Sequence, residues 1–168
     1  YVGPHHRVDW SKLITGMTKD DDRNKKIIDR IVLACGQGRP ILVLSDRVAH
    51  CAWLADTLQS YNIVAEPLVG RMTKKQRAEV LERANNRQIQ VVCATTVADE
   101  GLDLPSLDTV VLTTPTKAMG RIQQRIGRVM RPHPQKQDPI VIDCVDDIGA
   151  MHGLANKRQK LYTKLGCA

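Results

Sequence analysis

The sequence predicts an α/β domain built on a mostly parallel central sheet flanked by helices, and three observations carry that expectation. Short apolar runs rich in β-branched residues alternate with amphipathic helical stretches. The run Ile41 to Leu44 is apolar at every position and bounded by Pro40 and Ser45-Asp46, as a strand covered on both faces would be. A chain of 168 residues with 42% apolar content is long enough to bury one proper core.

Each element follows from local chemistry. Residues 1–19 contain Gly3, Pro4 and Gly16 without sustained periodicity, and read as a connecting segment from another domain; residues 20–168 form the domain proper. Asp20, Asp21 and Asp22 suit the first turn of a helix whose apolar positions Ile27, Ile28, Ile31 and Cys35 repeat at three and four, until Gly36 and Gly38 end it. After the strand Ile41 to Leu44, Val48, Cys51, Ala55 and Leu58 mark one side of the next helix. An extended stretch from Ile63 to Val69 leads to Gly70. Thr73-x-x-Gln76 then forms a capping box for a helix with Val80, Leu81 and Ala84 inward. Gln90 to Ala94, Thr109 to Leu112 and Ile140 to Ile142 are further strands, with an Arg-bearing helix between the last two. The final helix, from about Ala150 to Leu165, carries Met151, Leu154, Leu161, Tyr162 and Leu165 on its apolar face and ends at Gly166.

Composition narrows the function. Twenty-five Lys and Arg against 18 Asp and Glu give a net charge of +7, which favours polyanionic partners. Three Tyr, two Trp and no Phe argue against a broad base-stacking platform, so nucleic acid would be gripped mainly by its backbone. Cys35, Cys51, Cys93, Cys144 and Cys167 are odd in number, widely spaced and free of a Cys-x-x-Cys pair, which points away from disulfides and zinc and toward an intracellular, reducing compartment. The histidines show no metal spacing. No apolar run approaches the ~20 residues of a membrane span, and the first residues have no apolar core of the signal-peptide kind, so no membrane partner is expected.

The most informative stretch is Gln124-Arg125-Ile126-Gly127-Arg128-Val129-Met130-Arg131. At about 100° per residue, Arg121, Gln124 and Arg128 lie within roughly one sixth of a helix circumference, while Ala118, Met119, Ile122, Ile126 and Val129 take the far side. Such a stripe is either a solvated face or an anion-binding one. Gly127 costs about 1 kcal/mol relative to Ala inside a helix, which asks for a packing or close-approach reason. Pro132 pushes Arg131 out of helical geometry, so its side chain would reach past the helix end.

This segment resembles motif VI of superfamily 2 helicases, Gln-Arg-x-Gly-Arg-x-x-Arg, at every fixed position. Upstream, Ala94 to Pro105, with Thr95-Thr96 and Asp99-Glu100-Gly101-Leu102-Asp103, is similar to motif V, and Ile41 to Arg47 is similar to motif IV. The three stand in the family's order and cover residues 41–131. The resemblance implies a RecA-like domain of the P-loop NTPase type, the second of two in a helicase core, most like those of DNA viruses, phages and restriction-enzyme relatives.

The resemblance also implies roles. Arg128 and Arg131 would act as arginine fingers, with Gln124 at the nucleotide phosphates or water. Arg125 would either serve the nucleotide or pair with an acid such as Asp99 or Asp103. Asp103 has two readings, a ribose-hydroxyl partner or a cap before Pro105; Gly101 and Gly127 would serve the nucleotide side through the backbone. Thr95 and Thr96 would bond nucleic-acid phosphate or simply cap a turn. Ser45, Arg47, Gly70, Lys74 and Arg77 occupy regions where related helicases touch the strand, although Lys74 stands where the family often has Gln.

The 168 residues contain no Gly-x-x-x-x-Gly-Lys-Ser/Thr phosphate loop. Asp143 resembles a metal acid only superficially and has capping or loop roles as alternatives. No metal is therefore expected to be held here: ATP and Mg²⁺ would be held mainly by a missing N-terminal RecA-like domain of the same polypeptide, and this fragment alone would be inactive. Lys157, Arg158, Lys160 and Lys164 read as a solvated basic side. The implied partners are that N-terminal domain and nucleic acid, DNA favoured over RNA, in the cytoplasm, a virus-replication site or the nucleus. The competing reading is a non-catalytic nucleic-acid-binding or regulatory module with the same fold.

Overall fold

The computed structural model describes residues 8–95, 103–116, 119–134 and 136–167. Thr96, Asp99 and Gly101 lie outside them. Chain order is α1 (Trp10–Met17), α2 (Asp21–Gly36), β1 (Ile41–Ser45), α3 (Val48–Gln59), β2 (Ala65–Leu68), α4 (Lys74–Asn85), β3 (Val91–Thr95), β4 (Thr109–Leu112), α5 (Met119–Val129), β5 (Ile140–Asp143) and α6 (Gly149–Lys164). Among the described residues five strands form one sheet in the order β2-β3-β1-β4-β5, parallel throughout. Parallel neighbours need crossovers, and the helices between them cover both faces.

Alternate strand residues feed the two sides of the sheet. Ile41, Val43, Val91, Cys93 and Val111 pack with α2 and α3 through Ile28, Ile31, Cys51 and Leu54. Leu42, Leu44, Val92, Ala94, Val110 and Leu112 pack with α4, α5 and α6 through Val80, Ile122, Ile126 and Tyr162. The central strands β1, β3 and β4 are buried along their length, whereas β5, at one edge, is only half-buried. Pro67 sits in β2 at the other edge, where a missing N–H donor costs the ladder least.

The helix boundaries have visible causes. The Asp20 carboxylate accepts from the Arg23 N–H at the start of α2. Gly38, at φ +75°, ends it by turning the chain toward Pro40 and β1. Thr73 and Gln76 close the expected capping box of α4. Gly166, at φ +82°, follows α6.

Three details differ from the sequence reading. Within residues 1–19, α1 forms with Ile14 and Met17 buried; Trp10, Leu13, Ile14 and Met17 follow the i, i+3, i+4, i+7 helix spacing, but over only two turns and with Gly16 inside them. Val48 is 38% exposed at the first turn of α3, and Leu54 takes the inward position instead. Arg158 does not belong to a solvated basic side. It is 2% exposed and grips Asp143 with both Nε (2.7 Å) and Nη2 (3.1 Å), while the Tyr162 hydroxyl donates to the same carboxylate (2.7 Å). Asp143 ties α6 to the sheet edge through a bidentate ion pair.

Candidate functional site

Because every strand is parallel, all five carboxyl ends lie along one edge, the side on which α/β sheets gather their ligands. Ser45 and Thr95 are register partners at the ends of β1 and β3. Gly70 follows β2, and Thr113 and Thr114 follow β4. The Asp46 N–H donates to Thr114 Oγ1 (3.0 Å), which joins the turns leaving β1 and β4.

Helix α5 brings the second set of groups to this edge. Ile122, Ile126 and Val129 are buried and Arg121, Gln124 and Arg128 are exposed, so the stripe faces outward as its periodicity requires. Arg125 does not lie on it. The side chain is 8% exposed, and burial pushes its pKa down to about 10; the Asp46 carboxylate favours its charged form and the Arg128 guanidinium opposes it. Among the described residues, then, the acid that acts on Arg125 is Asp46, from the turn after β1; Asp99 lies outside them. Asp103, one of the acids offered by the sequence, is exposed, and its carbonyl accepts from Asn85 Nδ2 (3.2 Å).

The end of α5 has a partner that sequence reasoning missed. Lys136 Nζ donates to the Val129 carbonyl (2.7 Å) and the Arg131 carbonyl (2.9 Å), satisfying acceptors that a helix terminus leaves open. Burial lowers the Lys136 pKa, against the pull of Asp108. Exposed Arg131 thus leaves the helix from a pinned backbone. A basic residue shortly after Pro132 was the available signal. Gly127 is half-buried, and a Cβ placed on it meets nothing within 4 Å, so packing among the described residues does not require glycine there.

Two residues expected to touch a strand are engaged inside the domain. Ser45 is fully buried. Asn24 Nδ2 donates to the Thr18 carbonyl (2.9 Å), which leaves Asn24 Oδ1 to accept from His50 Nε2 (3.0 Å). His50 Nδ1 is then the acceptor for the Ser45 hydroxyl (2.9 Å), and Ser45 Oγ accepts in turn from the Arg47 N–H (3.3 Å). Burial first, and the Arg23 charge second, push the His50 pKa down to about 4, so the ring is neutral near pH 7. Arg47 donates from Nε to Thr15 Oγ1 (3.1 Å), from Nη1 to the Asp46 carbonyl (3.0 Å) and from Nη2 to Ser11 O and Oγ (3.0 and 3.2 Å). Ser45 and Arg47 shape the edge from within and clasp α1 to it.

Of the remaining expected contacts, Lys74 and Gly70 are open and Thr95 is not. Lys74 is exposed at the start of α4, and Gly70 is exposed with its carbonyl accepting from Arg77 Nη2 (3.0 Å). Thr95 is buried at the end of β3. Opposite them, Arg23 reaches from α2 to the Asp146 carboxylate and the Thr113 carbonyl, tying the turns after β4 and β5 to the same edge.

Residues 22–133 match the helicase conserved C-terminal domain. The chain belongs to the superfamily 2 helicase C-terminal domains. It is 34% identical over 136 residues to a protein named helicase 22 of the Sulfolobus islandicus filamentous virus, covering 81% of this chain and 24% of that protein. It is 31% identical over 144 residues to a protein named as an ATP-dependent RNA helicase of Acanthamoeba polyphaga mimivirus, covering 86% of this chain and 27% of that one. This helicase motor domain thus spans about a quarter of the length of those relatives. Its fold is similar to the C-terminal domain of the DEAD-box protein Dbp5, with a TM-score of 0.69 at 18% identity over 86% of this chain and 81% of the other. The RecA-like architecture expected from motifs IV to VI is the one found.

Proposed function

We propose that this helicase domain is the second of two RecA-like domains in an ATP-dependent helicase or translocase, and that Arg128 and Arg131 serve as arginine fingers. The nucleotide and its Mg²⁺ would be held mainly by an N-terminal RecA-like domain of the same polypeptide. The observation that carries this reading is the division of labour on α5: Arg125 is turned inward beside Asp46, while Arg128 and Gln124 face outward on the open side of Gly127. Planar guanidinium forks fit phosphate oxygens, and fingers of this kind act chiefly on charge that develops during phosphoryl transfer.

Bound Mg²⁺ would neutralise phosphate charge; this chain's own residues would position and complete the cationic side. Arg125 and Asp46 orient α5, Lys136 fixes the departure of Arg131, and Gln124 offers its amide to phosphates or water. Gly101 and Asp103 are proposed to lie near the nucleotide ribose. Gly70, Lys74, Arg77, Thr95 and Thr96 are proposed to follow the nucleic-acid backbone, with Ser45 and Arg47 supporting them from inside. DNA is favoured over RNA, with RNA as the competing outcome because the mimivirus relative is named an RNA helicase. The free state of all five cysteines supports a reducing setting, in the cytoplasm, a virus-replication site or the nucleus.

The test uses the full-length protein in steady-state ATPase assays with saturating nucleic acid. Arg128→Ala should leave ATP affinity within about a few-fold and cut turnover by about 10²-fold or more, with Arg131→Ala similar and Arg128→Lys rescuing little. Arg121→Ala, exposed on the same stripe but outside motif VI, should change little. Equal minor effects at all three arginines would leave α5 a solvated basic helix and favour a non-catalytic module.

A further inference from the structure

One cavity on the carboxyl edge is given no ligand by the roles above. It holds about 350 Å³ between α1, α2 and the start of α3, and its walls include Thr15, Lys19, Asp21, Arg47, His50 and Trp53. Ligand pockets run from about 300 to 1,000 Å³, so this one suits a single ring system. Trp53 is 41% exposed, an unusual amount of surface for an indole, and its ring lies nearly parallel to that of His50, at 14° and 6.4 Å between centroids. His50 is itself fixed at both nitrogens, by Ser45 and Asn24, so the indole rests against an immobile imidazole.

We propose that this cavity takes one base of the bound nucleic-acid strand, with the Trp53 indole as its stacking surface. The inference rests on the proposed nucleic-acid role. Position supports it: Arg47 belongs to the turn leaving β1, and Ser45, two residues earlier, is the register partner of Thr95. The cavity and Thr95 thus lie on the same carboxyl edge of the sheet. The wall chemistry selects a base over a phosphate. The Arg47 guanidinium is engaged with Ser11, Thr15 and Asp46, leaving Lys19 as the outward cation, and the Asp21 carboxylate repels phosphate but accepts from an exocyclic amino group. Lys19 and the hydroxyl of Thr15 supply donors for ring carbonyls. A lone indole stacks on any base, so the subsite would be sequence-tolerant.

The experiment measures binding of the full-length protein to a single strand and to an abasic strand of equal length, each made as DNA and as RNA. Wild type should prefer the base-bearing strand. Trp53→Ala should weaken that binding by about 5-fold or more and leave abasic binding unchanged, while Trp53→Phe keeps most of the affinity. Equal affinity of wild type for both strands, or an equal effect of Trp53→Ala on both, overturns the subsite while leaving the nucleic-acid role standing. Failure of wild type to bind either strand overturns the nucleic-acid role, and the subsite with it.

Discussion

Burial holds the His50 imidazole neutral, with its pKa pushed from 6.5 to about 4, and this fixes the direction of a pH effect. Because the folded value is depressed, the unfolded chain binds the extra proton first; the contribution is present above about pH 6.5 and is lost as pH falls toward 4. Its size is of the order of 2–3 kcal/mol. Urea unfolding at pH 7 and pH 4.5 should show this loss in wild type, and a smaller one in His50→Gln, which cannot take up the proton. An identical pH dependence in the two proteins would remove His50 from the account. Arg125 offers a second residue-scale prediction. Asp46→Asn removes the carboxylate that favours its charged form, so ATP turnover of the full-length protein should fall through misplacement of α5, and the domain's stability should fall with it. Turnover lost without any change in stability would instead make Asp46 a direct participant.

At the scale of elements, α5 and α1 are held by groups outside themselves. Gly127 meets no neighbour that a methyl would strike, so Gly127→Ala should raise the stability of this domain by up to about 1 kcal/mol through helix propensity alone. Gly127→Leu should be tolerated in folding yet impair turnover if another surface closes on that side. A loss of stability in Gly127→Ala, measured by thermal unfolding, would mean the glycine serves the fold after all. Helix α1 depends on Arg47, whose guanidinium bonds Ser11 and Thr15. Arg47→Ala should speed amide hydrogen exchange in residues 10–17 while leaving the central strands protected. Exchange that is unchanged in α1 would make the clasp incidental.

For the whole molecule, charge and motif content set the expectations. A net charge of +7, with contacts proposed mainly to phosphates, predicts weak and steeply salt-dependent strand binding by this domain alone. Titration at low and physiological salt should show affinity falling steadily; a flat response would contradict backbone recognition. The same 168 residues should hydrolyse ATP negligibly, since they contain no phosphate loop. Robust turnover by this chain, unaffected by Arg128→Ala, would overturn the shared-site reading.

The architecture was legible because periodicity alone encodes which face of an element is buried. Continuous apolar strands such as Ile41 to Leu44, three-and-four repeats such as Ile27, Ile28 and Ile31, and the Thr73 capping box are local signals, and the parallel RecA-like sheet realises them. The motif order likewise marked α5 and the ends of β1 and β3 as the candidate site, and the structure places those strand ends along one edge. Which side chains remain available there was decided by tertiary structure. Arg125 and Arg128 are both arginines of one motif, yet one faces Asp46 in the interior and the other faces outward; Arg158 and Lys157 are adjacent, yet only Arg158 meets Asp143. Ser45 and Arg47 read as surface contacts, but their partners, His50, Ser11 and Thr15, arrive through packing of α3 and α1. A buried polar group must be satisfied by whatever the fold brings to it, and apart from His50 those partners lie tens of residues away, where no local pattern announces them.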